Sequence, residues 1–418
     1  MKPSDLASLI SEFRVPGAQL MVAKGDEVHN AFAGELIIGG DPVTGRSAFP
    51  IGSITKPFTA TLAMMLVAGG DVELDAPLVE YLPELGPAAP GAVARMTLRQ
   101  VLSHTSGLAS GVPDERYRIV RRADWVAANC QEAELSHPAG TAFSYSGVGY
   151  VLAGHLVEVM TGMTWWQAVE EMLLRPLGIT PSFVVGPVTA GRPVATGHTS
   201  HAGSVLPVIG QPLAAVDAPE GGLALSADDL VSFVKAQFAA PVEEMLREQV
   251  PRDAPGPFGM ADGWGLGWAR YHGTAGEVWF GHDGSAAGAS CHLRFEPVSR
   301  TVIALTTNAN TGRALWERLL GEFESPIGRH RLDAGPSTPG RSDCVGHYRN
   351  GASEFTVDSG HDGVLRLSVD GSPPAELTCY QDLGFGVADA FFGRFLPAKG
   401  TGVIERIQVF GQLAVRTP

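Results

Sequence analysis

The chain of 418 residues is long enough for two domains, or for one large domain with an appendage. Its composition, 44% hydrophobic and 18% charged, is that of a globular protein. The formal net charge of −14 argues against nucleic acid or an anionic membrane as a partner, because phosphate binding relies on clustered Lys and Arg.

The lack of a recognisable targeting signal and the spacing of the cysteines both favour the cytoplasm. The first residues lack the long apolar core of a signal peptide, and no run of about twenty apolar residues occurs elsewhere. The four cysteines, Cys130, Cys291, Cys344 and Cys379, are scattered without a CxxC pair, which fits neither a zinc site nor a disulfide framework. We expect a cytoplasmic protein with reduced, buried thiols and no metal.

The first predicted element is a β-hairpin. Residues 15–34 contain two extended runs on either side of Lys24-Gly25-Asp26, a pattern typical of two strands joined by a tight turn. A turn-rich stretch, Gly39-Gly40-Asp41-Pro42, then leads into Phe49-Pro50.

Ser53 and Lys56 form the first motif with chemical content. They lie where a loop enters a helix, which we expect to begin at Ser53 and to continue through the apolar residues 59–67. Side chains three apart share a helix face, so the Lys56 amine can reach the Ser53 hydroxyl. Lys56 can act as the base if burial or nearby positive charge lowers its pKa, and the Ser53 N–H could hold an oxyanion. Because this spacing also occurs at solvated helix starts, the interpretation depends on later motifs.

The next segments are predicted to be helical. Thr97 is a helix-start residue and Gly107 a stop signal. We interpret His104, which lies between them among small polar residues, as a structural hydrogen-bonding group rather than a catalytic base. Residues 121–178 have apolar positions at helical spacing, and at least one of Trp165 and Trp166 is expected to pack in the core.

The second half of the chain changes to strands. Four apolar stretches within residues 264–308 predict an antiparallel sheet, and residues 314–323 a helix that packs across it. Strands at both ends, with helices between, predict one sheet closed by the two termini of a catalytic domain, residues 1–328. Residues 329–342 lack periodicity and predict a linker. Residues 343–418 contain short alternating runs separated by turns, typical of a small all-β barrel or sandwich.

Two later motifs supply groups for proton transfer and charge stabilisation. Tyr145 lies in a loop just before a helix, and a tyrosine near a lysine cation can lose its proton and become a proton carrier. The stretch Gly281-His282-Asp283-Gly284-Ser285 follows an apolar strand. We predict that His282 lies beside the reacting groups and that the Ser285 N–H joins the Ser53 N–H in an oxyanion hole.

The order Ser-x-x-Lys, Tyr, His-x-Gly resembles the penicillin-binding-protein and class C β-lactamase superfamily of serine hydrolases, over roughly residues 10–325. Residues 102–108 and 221–223 are similar to recurring stretches of that superfamily. Other stretches resemble the penicillin-binding-protein-type thioesterases, the stand-alone peptide cyclases of nonribosomal peptide assembly. These stretches are residues 164–166, 173–179, 258–267 and 281–284. The resemblance implies an α+β fold of the β-lactamase type, with a helical subdomain and a C-terminal lipocalin-like β domain.

The hypothesis that follows is a trans-acting cyclase. Lys56 takes the proton of Ser53, which attacks a peptidyl thioester presented by a peptidyl carrier protein domain of a nonribosomal peptide synthetase. Tyr145, as phenolate, then deprotonates the N-terminal amine of the peptide, which closes a macrolactam, and His282 orients or polarises this set. No cofactor is expected.

Further residues are candidates for contact with the substrate. Asp283 and Glu220 could hold the incoming ammonium, although surface carboxylates that only solvate a loop are common. Gly284 would line the strand edge. Gly147 stands where the superfamily usually has asparagine, so a wider site or a backbone donor is expected to replace that amide. By family likeness the acyl donor ends in a D-configured residue.

Two alternatives remain open from the sequence. One is a β-lactamase-like esterase or D-specific peptidase that hydrolyses small esters or amides with water as acceptor. The other is a catalytically silent binding protein that keeps the fold and senses ligands. An acyl adduct on Ser53 would favour an enzyme over a binder.

Overall fold

The computed structural model describes residues 6–86, 93–113, 121–130, 135–187, 192–201, 203–210, 213–238, 243–322, 335–387, 391–398 and 400–417. Within these ranges no helix combines the length and the apolar character that crossing a bilayer requires. The chain forms two compact units. The first consists of Met1–Glu73, Ala153–Arg247 and Gly265–Gly328, and the second of Leu74–Leu152, Glu248–Trp264 and Arg329–Pro418.

The α-helices of the described ranges are, in chain order, α1 (Leu6–Glu12), α2 (Thr55–Gly69), α3 (Leu98–Leu102), α4 (Arg122–Cys130), α5 (Gly147–Thr161), α6 (Trp165–Val169), α7 (Ala218–Gly221), α8 (Ala227–Gln237), α9 (Glu243–Leu246) and α10 (Gly312–Leu320).

The β-strands of the same ranges are β1 (Gly17–Lys24), β2 (Glu27–Gly34), β3 (Phe49–Pro50), β4 (His198–His201), β5 (Ser204–Pro207), β6 (Ala224–Leu225), β7 (Gly263–Trp264), β8 (Ala269–His272), β9 (Val278–Ala286), β10 (Ala289–Glu296), β11 (Thr301–Thr307), β12 (Ser337–Thr338), β13 (Gly346–Asn350), β14 (Ser353–Ser359), β15 (Leu365–Val369), β16 (Ala375–Glu376), β17 (Thr378–Tyr380), β18 (Gly384–Val387), β19 (Phe391–Pro397), β20 (Ile404–Val409) and β21 (Gln412–Arg416).

The first unit is built on an antiparallel sheet in the order β2-β1-β11-β10-β9-β8. β1 pairs with β11 from Ala18 opposite Thr307 to Lys24 opposite Thr301, so strands from both ends of the unit lie side by side. The predicted hairpin and the closure of the sheet by the two ends are therefore confirmed. Every residue of β10 is buried, because α10 packs on β10 and β11.

The start of α2 differs by two residues from the prediction. The helix begins at Thr55, and Gly52–Ile54 form a 3₁₀ turn before it, so Ser53 lies in that turn and Lys56 in the first turn of α2. Most of the circumference of α2 is buried, which makes it a core helix. Trp165, at the start of α6, is fully buried against it and donates its indole N–H to the Thr59 hydroxyl at 3.0 Å.

The strand before the predicted histidine motif is longer than expected. Residues His282 to Ser285 do not follow a strand but lie inside β9, which runs to Ala286. β8 pairs with β9 only from Val278 to Gly281, whereas β10 pairs with it as far as Ala286. The two glycines in this stretch hid the continuation, because glycine is depleted in strands.

In the second unit, α3 begins at the predicted residue. Thr97 forms a capping box with Gln100, in which each side chain bonds the backbone N–H of the other. The helix ends at Leu102, before the predicted stop at Gly107, and His104 has a left-handed φ of 57°. The helical prediction for residues 121–178 corresponds to α4, α5 and α6, and residues 131–134 within it lie outside the described residues.

The C-terminal part of the second unit is an all-β structure, as predicted. Ten strands of the described residues follow the order β12-β17-β18-β19-β20-β21-β13-β14-β15-β16, and each pair of neighbours is antiparallel. Its apolar core includes Tyr348, Phe355, Phe385, Phe395 and Ile407. Strands β12, β13, β18 and β21 were not predicted from the sequence, because they are short and contain glycine or polar residues.

The predicted domain boundaries stay a prediction, because residues 323–334, which include the end of the last predicted helix and much of the linker, lie outside the described residues. The described residues add that the C-terminal strands belong to one compact unit with residues 74–152 and 248–264. The four cysteines are free thiols; Cys379 is half-buried and the other three are buried.

Candidate active site

The first feature of the site is a serine and a lysine in direct contact. Lys56 Nζ lies 3.0 Å from Ser53 Oγ, as the spacing along the helix start predicts. The Lys56 side chain is 1% exposed, so its amine is held away from bulk water. This is the geometry of a nucleophile with an adjacent base.

Lys56 has a second partner in Glu220, on the short helix α7. Its Nζ donates to the Glu220 carbonyl at 3.1 Å and lies 3.2 Å from the carboxylate Oε2. The Glu220 side chain is 26% exposed, so this ion pair is only partly open to solvent. A carboxylate at this distance stabilises the ammonium form of Lys56.

The turn that carries Ser53 packs against strand β9. A Cβ on Gly52, whose φ is +50°, would come within 2.3 Å of the Ser285 carbonyl oxygen, and a Cβ on Gly284 within 1.9 Å of the Ile51 carbonyl oxygen. Both glycines therefore permit a backbone approach that any side chain would block. The backbone of Ser285 lies beside the nucleophile as a result. Its service as an oxyanion donor stays a prediction.

His282 is buried on the same strand. Its Nδ1 lies 2.7 Å from the Asp283 carbonyl oxygen, an acceptor, so this nitrogen carries the proton. Burial, and then the nearby Lys56 cation, lower the pKa of His282 to about 3. His282 is consequently a neutral imidazole at physiological pH, and its Nε2 is a hydrogen-bond acceptor.

Asp283 is held by two cationic or polar side chains of β10. Its Oδ1 accepts hydrogen bonds from His292 Nδ1 and from Arg294 at 2.8 Å each, and its Oδ2 accepts one from Arg294 at 2.9 Å. The Asp283 side chain is 47% exposed, and although its partial burial raises its pKa, Arg294 and His292 outweigh that effect and hold the pKa of Asp283 well below its usual range. Both oxygens of the proposed ammonium ligand thus already have partners.

Arg294 and His292 were missed by the sequence analysis. The Arg294 side chain is 3% exposed, and its guanidinium also lies over the ring of Tyr271 at 4.3 Å. His292 stacks on Trp316 of α10 with ring centroids 5.1 Å apart. The signal was present: a histidine and an arginine two residues apart, on one face of an otherwise apolar strand, require a buried partner.

Tyr145 belongs to the second unit. Its ring stacks on His104 with centroids 4.3 Å apart, and its backbone N–H donates to the Gly411 carbonyl at 2.9 Å. The next N–H, of Ser146, donates to His104 Nδ1 at 3.0 Å, which confirms His104 as a structural hydrogen-bonding residue. The approach of the Tyr145 phenol to Ser53 stays a prediction.

Gly147 is the first residue of α5. Its N–H donates to the Ser110 carbonyl at 3.0 Å, so this backbone donor serves the protein itself. The expectation that a wider site or a backbone donor replaces the usual asparagine amide stays a prediction, and the Gly147 N–H could be that donor only if it gave up this bond.

Among the described residues, no group of three or more His, Cys, Asp and Glu side chains is arranged to hold a metal ion.

A serine in contact with a buried lysine at the start of a core helix, beside a strand end that β8 leaves unpaired, is an arrangement that serine-dependent enzymes use to activate a nucleophile. The Beta-lactamase family model matches residues 6–320, and the chain belongs to this family. The predicted β-lactamase and penicillin-binding-protein-like fold is thereby confirmed.

Individual relatives extend the comparison. Penicillin-binding protein 4 of Amycolatopsis lactamdurans is 32% identical over 340 residues, 76% of this chain and 88% of that protein. Esterase EstB of Burkholderia gladioli is 29% identical over 302 residues, 62% of this chain and 76% of that protein. The crystal structure of SurE is similar with a TM-score of 0.83 and 35% identity, and covers 98% of this chain and 97% of that one. The resemblance to penicillin-binding-protein-type thioesterases is consistent with all three.

Proposed function

We propose that the protein is a trans-acting peptidyl thioesterase that releases a nonribosomal peptide by head-to-tail macrolactam formation. The observation that carries this proposal is the extent of the similarity to SurE. It spans 98% of the chain, whereas the family match ends at residue 320 and leaves out the C-terminal strands. We therefore assign the activity to the whole chain, which includes the C-terminal β strands as well as the part that matches the family, as the motif resemblance implies.

The first step is acylation of Ser53. The reactive form is the one in which Lys56, a cation in the resting ion pair with Glu220, has lost its proton to solvent. Lys56 then takes the hydroxyl proton while Ser53 Oγ attacks the thioester carbonyl, and Glu220 stabilises the ammonium that results. The tetrahedral oxyanion is held by the N–H groups of Ser53 and Ser285. On collapse the carbon–sulfur bond breaks, the thiolate takes the proton from Lys56, and a peptidyl ester remains on Ser53.

The second step is attack by the N-terminal amine of the same peptide. Tyr145, as phenolate, first takes one proton from the incoming ammonium, which frees the nitrogen lone pair to bond to the ester carbon. The second nitrogen proton passes to the departing Ser53 oxygen, and Tyr145 releases its proton to solvent. Neutral His282 can accept a hydrogen bond through Nε2 and orient these groups. Because the amine and the ester belong to one bound molecule, positioning raises their effective concentration far above that of a free acceptor.

Of the two candidate carboxylates, Glu220 fits the role of ammonium holder better. Among the described contacts its carboxylate is engaged through one oxygen, Oε2, which lies 3.2 Å from Lys56 Nζ beside Ser53. Asp283 already bonds Arg294 and His292 through both oxygens. We assign Glu220 to the incoming ammonium and Asp283 to the support of strand β9.

The partner in this proposal is a carrier domain that presents the peptide as a thioester, and the acyl residue on the thioester is D-configured. A second structure of SurE, with 36% identity and a TM-score of 0.81, contains D-Leu. That observation concerns SurE and supports testing D-configured C-termini first.

The test is incubation with a peptidyl N-acetylcysteamine thioester whose C-terminal residue is either D or L, followed by mass analysis. The proposal predicts a product lighter than the linear acid by one water, from the D substrate. Linear acid alone would favour the second candidate, an esterase or D-specific peptidase with water as acceptor, which the likeness to esterase EstB supports.

A further inference from the structure

The loop that carries Tyr145 is bound by the C-terminal strands of its own unit. We call residues 143–147 the tyrosine loop. Its Tyr145 N–H donates to the Gly411 carbonyl, in the turn between β20 and β21, at 2.9 Å. The neighbouring Ser144 hydroxyl accepts the Leu413 N–H of β21 at 3.1 Å. These partners lie more than 260 residues further along the chain.

Asn350, the last residue of β13, forms hydrogen bonds with both the tyrosine loop and strand β21. Its Oδ1 accepts the Ser110 N–H at 2.8 Å, and its Nδ2 donates to Ser144 Oγ at 3.2 Å and to the Leu413 carbonyl at 2.8 Å. The residue is 2% exposed. One side-chain amide thus bonds a loop on the helical side, a β-strand and the residue directly before Tyr145.

The Ser110 segment closes the same network from the other side. The Ser110 carbonyl accepts the Gly147 N–H at 3.0 Å, and Ser146 Oγ donates to the Ala109 carbonyl at 2.6 Å. Ser146 Oγ also accepts the Gly149 N–H at 3.0 Å, in the first turn of α5. The tyrosine loop is therefore bonded to two segments, and Asn350 contacts both of them.

A second buried amide of the C-terminal sheet repeats the pattern. Gln408 of β20 has no exposed surface, and its Nε2 lies 3.4 Å from the Phe143 carbonyl and 2.9 Å from the Gly256 carbonyl. A buried amide in a β core is costly unless its donors and acceptors are satisfied. In both cases the partners include the tyrosine loop.

We propose that Asn350 is a positioning residue for Tyr145, and that the C-terminal β strands serve the reaction by holding the tyrosine loop in its working geometry. This inference rests on the proposed role of Tyr145. Misplacement of a reacting group by about 1 Å can lower the rate on the order of 100-fold. Replacement of Asn350 by alanine removes three hydrogen bonds at once and frees the loop to shift.

The test compares Asn350→Ala with a matched control, Val357→Ala. Val357 is fully buried in the core of the same sheet, on β14 opposite Gly346 and Leu367, so its replacement reports on loss of stability alone. For Asn350→Ala we expect kcat to fall roughly 10- to 100-fold with KM within about 3-fold of wild type. We expect Val357→Ala to keep the wild-type kcat at temperatures where both variants are folded.

A second readout does not depend on any substrate. Incorporation of 3-fluorotyrosine labels the seven tyrosines, and Tyr145→Phe identifies the resonance of residue 145. We expect its position and its pH titration to change in Asn350→Ala and to stay as in wild type in Val357→Ala. Ser144→Ala should reproduce part of the change, and the double variant should be less than additive.

The outcomes separate the two proposals. If the wild type released no thiol from any peptidyl thioester, the proposed function would fail, and the fluorine spectra would still decide whether Asn350 sets the state of Tyr145. An unchanged Tyr145 resonance in Asn350→Ala would overturn the positioning role. So would a kcat no lower than that of Val357→Ala.

Discussion

Ser53 and Tyr145 reach their positions by different means. Ser53 meets Lys56 because the two lie three residues apart at a helix start, where local backbone geometry brings them within 3.0 Å. Tyr145 lies in a loop whose hydrogen-bond partners include Gly411, and the residue before it bonds Asn350, 206 positions along the chain. One half of the proposed machinery is thus a local motif, whereas the other depends on a distant β structure.

The local half can be broken by one substitution. Lys56→Met removes the base, and we expect kcat/KM to fall by about 10²- to 10⁴-fold, the range typical of a lost general base. The measurement is thiol release from the peptidyl thioester. Lys24→Met, at the exposed end of β1, is the control and should retain wild-type activity. Retention of more than a tenth of the activity in Lys56→Met would remove Lys56 from the mechanism.

The substitution Gly284→Ala tests the packing of β9 against the 3₁₀ turn of Gly52–Ile54, the nucleophile turn that carries Ser53. The added Cβ would lie 1.9 Å from the Ile51 carbonyl oxygen, so the strand must move away and carry the Ser285 N–H with it. We expect kcat to drop about 100-fold or more, as for loss of an oxyanion donor. Gly45→Ala meets only the Phe32 ring at 3.8 Å and is the control. Equal activities in the two variants would contradict this account of the turn.

The role of Asp283 is sharpened by Asp283→Asn. Loss of the charge leaves the buried Arg294 unbalanced, and we expect the free energy of unfolding to fall by about 2 kcal/mol. That is less than for a fully enclosed pair, because 47% of the Asp283 side chain is exposed. If Asp283 only supports the strand, the ratio of cyclic to linear product stays within about twofold of wild type. A collapse of that ratio would return the ammonium-holding role to Asp283. Asp26→Asn, on an exposed turn, controls for the substitution itself.

His282 predicts a pH dependence of stability. Its pKa of about 3 in the folded protein lies below the ordinary 6.5, so the unfolded chain binds one more proton between these values. Stability therefore falls as pH drops from 6.5 toward 3, by up to about 1.4 kcal/mol per pH unit for this group. His137, whose pKa is lowered chiefly by burial, adds in the same direction. In urea unfolding between pH 4 and pH 6, His282→Asn should show a shallower slope than wild type, and an identical slope would contradict the buried neutral histidine.

The contrast also explains what the sequence could reveal. The Ser53 and Lys56 contact, the Thr97 capping box and the hairpin of β1 and β2 all depend on neighbours within a few positions, and patterns predicted them. The clamp of Arg294 on Asp283 and the bonds of Asn350 to Ser144 join positions that only the folded chain brings together. A lone buried amide at the end of a short strand carries no local signal of its partner.

The extension of β9 through His282 falls between these cases. The apolar run of β10 predicted a neighbouring strand for β9 to pair with, but Gly281 and Gly284 interrupted the strand pattern of β9 itself. Their purpose is close backbone approach to the nucleophile turn and to β10, which a propensity scale counts against a strand. The glycines that weakened the strand prediction are those that the site requires.

The central claim is that Ser53 becomes a transient peptidyl ester before Tyr145 is needed. The most direct measurement is the intact mass of Tyr145→Phe after mixing with a peptidyl N-acetylcysteamine thioester that ends in a D residue. The account predicts release of about one equivalent of thiol and an acyl adduct that maps to Ser53 and is absent in Ser53→Ala. Absence of the adduct, with thiol released at the wild-type rate, would contradict it.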